Sequence, residues 1–216
     1  MKFPYKHIFA KPKQRSDKAV ILLPGISGKA LSNRYKNLEV ALRKSGFNFL
    51  RFDLWKSMKE LETMTLKEIH QAIDTSIKFM HLNGCKRIGF IGKSFGGGVL
   101  LTHPHKDIKA LVLLAPAIGF DKESNINKIK NQKFTKFKSI FDIAISKKEL
   151  QKIEISTLII QGTKDDVVPL KNSEKIVKNL PKGTLEKIEG AGHSFDKEGE
   201  MEIITSASIG FLRSFL

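Results

Sequence analysis

Gly92-Lys93-Ser94-Phe95-Gly96 sets a serine between two glycines, where the apolar run ending at Ile91 gives way to the small residues Gly97 and Gly98. This is the G-x-S-x-G spacing of a nucleophile elbow. In such a motif the serine occupies a strained strand-to-helix turn that lifts its oxygen above the sheet edge. Glycine is needed on both sides because a β-carbon there meets crowded backbone. The helix that follows aims its free N–H groups at negative charge developing beside the serine. The same residues imitate the end of a phosphate-binding loop, G-x-x-x-x-G-K-[ST]. That reading fails: Arg87 stands where the first glycine belongs, and Ile88, Phe90 and Ile91 read as strand.

A nucleophilic serine needs a base, and the base needs a carboxylate to orient it. Two further stretches supply these groups, each after an apolar run and beside glycine. Gly162-Thr163-Lys164-Asp165-Asp166-Val167-Val168-Pro169 offers Asp165 or Asp166, and Gly190-Ala191-Gly192-His193-Ser194-Phe195 offers His193. The order serine, acid, histidine is the one associated with the elbow motif. Functional groups of parallel α/β sheets lie beyond the carboxyl ends of the strands, where all three are expected. The remaining histidines carry no such placement. His70 and His81 belong to a helix, and His103-Pro104-His105 lacks the cysteines or carboxylates that would make it a metal pair.

The elements that must position these groups follow from periodicity. Ala19 to Leu23, Phe47 to Asp53, Arg87 to Ile91, Ile108 to Ala115, Ser156 to Gly162 and Gly183 to Ile188 read as strands; several are apolar throughout, as strands covered on both faces are. Between them, Tyr35 to Ser45, Thr65 to Leu82, Ser173 to Leu180 and Glu200 to Phe215 carry helical spacing, and a short helix follows Ser94. The basic stretch up to Lys18 reads as an edge hairpin or a tail. Residues 119–153 are lysine-dense with scattered Ile and Phe, expected to form one or two small helices as a lid. Strands alternating with helices specify the α/β class: a mostly parallel central sheet with helices on both faces, in one domain spanning 1–216.

Composition narrows the setting. With 216 residues, 41% of them hydrophobic and 28% charged, the chain is long enough for a large core and ordinary for a globular protein. A formal charge of +16 is not ordinary, and such a field attracts acidic partners. Its lysines are spread along the chain without arginine clusters or interleaved aromatics, which argues against nucleic acid. One cysteine, Cys85, suggests a reducing compartment. The N-terminus lacks a signal-peptide core, and no apolar run approaches the ~20 residues of a membrane span, so a cytoplasmic setting is expected.

These residues together resemble the α/β-hydrolase family over nearly the whole chain, in the manner of a small serine esterase or dienelactone hydrolase. Ser94 rather than cysteine argues mildly against the dienelactone branch. The resemblance implies the family's acid turn at Gly162 to Pro169, where the acid follows the glycine by three residues, and so favours Asp165 over Asp166. Leu22-Leu23-Pro24-Gly25-Ile26-Ser27-Gly28 is similar to the family's His-Gly-x-x-Gly loop, with Pro24 replacing the histidine. It implies that the Ile26 and Phe95 amides form an oxyanion hole. The family's glycine-rich turn after the second strand is reduced here to Asp53-Leu54-Trp55-Lys56-Ser57. The implied activity is hydrolysis of a small-molecule carboxylic ester or thioester through Ser94, His193 and Asp165, with no metal or organic cofactor. The alternative is a non-catalytic scaffold of the same fold, binding nucleic acid or an anionic membrane through its basic surface.

Overall fold

A computed structural model describes residues 2–26, 29–120 and 143–216. Its centre is a seven-stranded sheet. The strands are β1 (His7–Ala10), β2 (Lys18–Leu23), β3 (Asn48–Phe52), β4 (Arg87–Lys93), β5 (Ile108–Leu114), β6 (Ser156–Gly162) and β7 (Gly183–Ile188), in the order β1-β3-β2-β4-β5-β6-β7. Every pairing is parallel except β1 with β3. Among the described residues the helices are α1 (Lys36–Lys44), α2 (Met58–Thr63), α3 (Leu66–Leu82), α4 (Phe95–Leu101), α5 (Lys147–Leu150), α6 (Leu170–Asn179) and α7 (Glu200–Phe215), with a 3-10 turn at Asn33–Tyr35.

The period of two along each strand divides the apolar residues between two layers. Ala19, Ile21 and Leu23 face α2, α3, α4 and α6, while Val20 and Leu22 face α1 and α7. Strands β4 and β5 divide in the same way, with Phe90 and Leu111 on one side and Ile91 and Val112 on the other. A strand buried on both faces has no polar side to alternate with, which is why these runs are apolar throughout. Helix α3 buries Ile69, Ala72, Ile73, Ile77 and Met80, and a capping box between Thr65 and Glu68 fixes its start.

Three departures from the sequence reading have local causes. The N-terminal stretch is neither hairpin nor tail but one antiparallel edge strand, β1. Phe3 anchors it, packing its ring 5.1 Å from Phe52 and 4.9 Å from Phe79. Helix α2 was not expected after the Trp55 turn. Its signal is the spacing of cap and glutamate in Ser57-Met58-Lys59-Glu60: the Ser57 hydroxyl accepts from Glu60 N, and the Glu60 carboxylate accepts from Lys56 N. Helix α6 starts at Leu170 rather than Ser173, because Pro169 presets φ at its N-cap. Of the expected lid over 119–153, residues 121–142 lie outside the described residues. Its two ends meet where Gly119 bridges to Ala144, and α5 follows.

Buried polar groups hold the segment just after the Gly25 loop. Arg51, on β3, meets Glu39 of α1 at 2.8 Å, both side chains at most 4% exposed, and donates to Ala30 O and Ser32 O. Asp53 accepts from Leu31 N at 3.2 Å. Glu39→Ala would leave the Arg51 charge buried and unpaired, a loss of about 3–5 kcal/mol in stability. A urea denaturation midpoint well below the wild type is the expected result.

Four histidines cluster at the opposite end of α4 from Ser94. His103 Nε2 lies 2.6 Å from Asp74 Oδ1, His70 stacks on His103 at 4.4 Å, and His81 Nε2 lies 3.1 Å from Asp107. His105 sits 4.0 Å from both carboxylates. The His103-Pro104-His105 pair thus does have acidic neighbours, contributed by α3 and by the turn before β5. Among the described residues, no three His, Cys, Asp or Glu side chains are arranged to hold a metal ion. Burial first, and the neighbouring His103 second, lower the His70 pKa from 6.5 to about 4. A depressed folded-state pKa favours the neutral ring, so this stability is present above 6.5 and lost as pH falls towards about 4. Urea midpoints measured through that window should fall with pH, and fall less in His70→Gln.

Candidate active site

Ser94 has φ 50° and ψ −114°, a conformation that a residue with a β-carbon adopts only when its surroundings impose it. Three backbone hydrogen bonds do so. Ser94 N donates to Leu114 O at 2.8 Å, and Ser94 O accepts from Gly98 N and Ala117 N, both at 3.0 Å. The flanking glycines leave no room for side chains. A β-carbon on Gly92 would stand 2.8 Å from Gly97 Cα, and one on Gly96 would stand 2.5 Å from Leu23 O and 2.6 Å from Pro24 O. The second contact presses the start of α4 against the Pro24-Gly25 loop. Gly25 itself lies beside Ser94, with a β-carbon on it falling 3.4 Å from Ser94 Cβ.

His193 follows β7, and its Nε2 lies 3.0 Å from Ser94 Oγ. Its Nδ1 lies 2.8 Å from Asp165 Oδ2, in the turn after β6. The two turns are stitched together, since Lys164 N donates to Ala191 O at 2.9 Å and Gly190 N donates to Thr163 Oγ1 at 2.9 Å. Three residues from separate strand ends, far apart in sequence, therefore form one hydrogen-bonded series. Asp166, the alternative acid, is exposed and takes no part in it.

The Asp165 side chain is fully buried, and its four acceptor contacts keep it ionised. Oδ2 accepts from Gln161 Nε2 at 2.8 Å besides facing His193; Oδ1 accepts from Val167 N at 2.9 Å and Val168 N at 2.7 Å. Burial alone would raise its pKa. The hydrogen bonds from His193, Val168 and Gln161 outweigh burial and hold the carboxyl below its ordinary value. An ionised acid with a fixed lone pair selects the imidazole tautomer that carries its proton on Nδ1, leaving Nε2 free to accept.

Phe95 opens α4, where the first N–H groups have no partner within the helix. Ile26 lies beside Gly25 on the loop facing Ser94, and Ser27 and Gly28 lie outside the described residues. Trp55 packs beside the start of α4 from the β3 side, its ring edge-on to Phe95 at 5.9 Å. Sequence reasoning missed Gln161, Lys93 and Arg34. Gln161 carried a signal, being a polar residue placed directly after the apolar run Leu158-Ile159-Ile160 of β6. It is fully buried, and it accepts from Ser173 Oγ at 2.7 Å while donating to Asp165.

No protein-family model and no curated protein matches the chain. Solved structures do. Est1E from Butyrivibrio proteoclasticus superimposes with a TM-score of 0.81 at 21% identity, over 96% of this chain and 93% of that one. Paleococcus ferrophilus monoacylglycerol lipase gives 0.76 at 19% identity over 99% of each chain. The dienelactone hydrolase of Anabaena variabilis gives 0.74 at 17% identity, over 97% of this chain and 91% of that one. With its seven-stranded, mostly parallel sheet, this chain has the α/β-hydrolase fold.

The two aspartates separate experimentally. Asp165→Asn keeps the shape but offers an amide to Nδ1, and should lower kcat by about 10³–10⁴-fold. Asp166→Asn should stay within about twofold of wild type. Steady-state rates on an aryl ester distinguish the two.

Proposed function

We propose that this protein is a serine hydrolase acting on a small-molecule carboxylic ester or thioester. The observation that carries the reading is the unbroken series Ser94 Oγ, His193, Asp165, with separations of 3.0 Å and 2.8 Å, ending on a strained elbow. The fold is shared with esterases and lipases, and a structure of Est1E with bound ferulic acid shows that scaffold holding a small organic acid.

In the proposed reaction, His193 Nε2 takes the Ser94 proton as Oγ attacks the carbonyl carbon. The carbonyl oxygen takes the π electron pair and becomes an oxyanion, received by the Ile26 and Phe95 amides. Collapse returns the electron pair to the carbonyl, and the departing alcohol or thiol takes the proton from His193. Water then repeats the sequence on the acyl-enzyme, releasing the acid and restoring Ser94. Asp165 holds the imidazole and stabilises its charged form throughout. Loss of one oxyanion donor costs about 10²–10³ in rate, so the fixed Gly96 contact with the Pro24 loop matters to turnover. No described helix is long and apolar enough to cross a membrane, and the one cysteine, Cys85, is buried with its pKa raised to about 11 by that burial. A cytoplasmic setting is proposed on the cysteine count alone, since a single cysteine has no partner for an internal disulfide.

Intact-mass analysis after fluorophosphonate treatment tests the reading. One adduct mapping to Ser94, absent from a folded Ser94→Ala protein, is the expected result, together with loss of ester and thioester hydrolysis in Ser94→Ala and His193→Ala. No adduct on folded wild type would remove the enzyme reading. A basic binding scaffold, given the charge of +16, would replace it, with salt-dependent retention on a polyanion unchanged by Ser94→Ala.

A further inference from the structure

Three successive carbonyls of the loop carrying His193 are each taken by a cation that the loop does not supply. Lys93 Nζ donates to His193 O at 2.7 Å. Arg34 Nη2 donates to Ser194 O and, at 3.3 Å, to Phe195 O, while its Nη1 pairs with Asp196 at 2.6 Å. Lys93 is the last residue of β4 and the immediate neighbour of Ser94. Arg34 sits in the 3-10 turn between the Gly25 loop and α1. The backbone of the base is therefore tied once to the strand of the nucleophile and once to the segment that follows the oxyanion loop.

The loop needs such ties. Phe195 has φ 55°, a left-handed conformation that a bulky aromatic residue adopts only under constraint, and its side chain is buried. Lys93 Nζ lies 5.1 Å from the centre of that ring and 3.5 Å from His193 Nε2, so it stands between the base and the residue that shapes the loop. Burial is the main influence on Lys93 and lowers its pKa to about 8; Asp165 and Asp196 favour its charge, and Arg34 opposes it. A charged donor makes the stronger hydrogen bond to a carbonyl.

We infer that Lys93 and Arg34 are positioning residues: they clamp the His193 loop so that the imidazole meets Ser94, and Lys93 does so in its charged form. This rests on the serine-hydrolase reading. A group held by its own main-chain carbonyl passes any slackening directly to its side chain, and a misplacement of about 1 Å at a reacting group costs on the order of 10²-fold in rate. The substrate is bound by other groups, so the effect falls on kcat and not on KM.

The test compares wild type, Lys93→Met, Lys93→Arg and Arg34→Met in kcat and KM on an aryl ester, in fluorophosphonate labelling rate, and in melting temperature. Lys93→Met should lose about 10- to 100-fold in kcat and in labelling rate with KM within about twofold, and Lys93→Arg should recover most of the loss. Arg34→Met, at the more exposed of the two ties, should lose about tenfold. The wild-type rate should fall by about twofold to fivefold as pH rises through about 8, while Lys93→Arg, charged throughout, shows no such step. Wild-type kcat and labelling in Lys93→Met, with only its melting temperature lowered, would overturn the clamp. So would a wild-type rate that stays flat or rises through the same pH range. If Lys93→Met does not fold, the pH comparison of wild type with Lys93→Arg decides alone. A wild type that takes no phosphonate removes both readings, whereas a Ser94 adduct formed equally fast in Lys93→Met removes only this one.

Discussion

The backbone at Ser94 is the constraint on which the rest of the site depends. Its φ of 50° is held by hydrogen bonds to Leu114, Gly98 and Ala117, so β5 and the segment after it fix the turn from one side while α4 fixes it from the other. The close approach of Gly96 to Leu23 O and Pro24 O then determines where the Pro24-Gly25 loop can lie. Ala115 and Phe195 also have positive φ, at 47° and 55°. All three strained non-glycine residues follow carboxyl ends of strands, where the candidate site is. Strain concentrated there, in a fold otherwise free of it among the described residues, marks geometry that packing imposes.

Charge is handled in two ways. Two buried charges are paired and saturated: Arg51 has Glu39 and two carbonyls, and Asp165 has four contacts. The excess of cations elsewhere meets solvent. Lys93 and Arg34 are the exceptions that touch the site, and both bind main-chain carbonyls rather than relying on a carboxylate alone. A carbonyl partner positions a cation without neutralising it.

Much of this was legible in the sequence because buried parallel strands and glycine-dependent turns leave strong marks. Val20 to Leu23 could be read as a two-sided strand because no polar residue interrupts it, and Gly92 and Gly96 could be read as an elbow because their surroundings exclude a β-carbon. Asp165 and His193 stood out by position beside glycines after strands. The N-terminal strand was obscured because its stability comes from Phe3 packing on Phe52 and Phe79, far away in sequence. Lys93 was hidden for a related reason. Its role depends on a loop one hundred positions later, and in the sequence it resembled only a fragment of a phosphate-binding motif. Gln161 was readable in principle, since a buried amide in an apolar strand must satisfy its hydrogen bonds somewhere.

The strand order has a kinetic corollary. His193 meets Ser94 across 99 positions of chain and Asp165 across 28, so no short segment contains the site. The partners come together only when β4, β5, β6 and β7 have paired in parallel, each pairing closing a loop that spans a helix or an insertion. Contacts of such long range form late and slowly, because chain entropy is lost before the pairing returns any stability. A partly folded copy therefore holds a serine, a histidine and an aspartate that have not met. Under the proposed function such a copy is chemically silent, and phosphonate labelling of Ser94 becomes a reporter of completed folding.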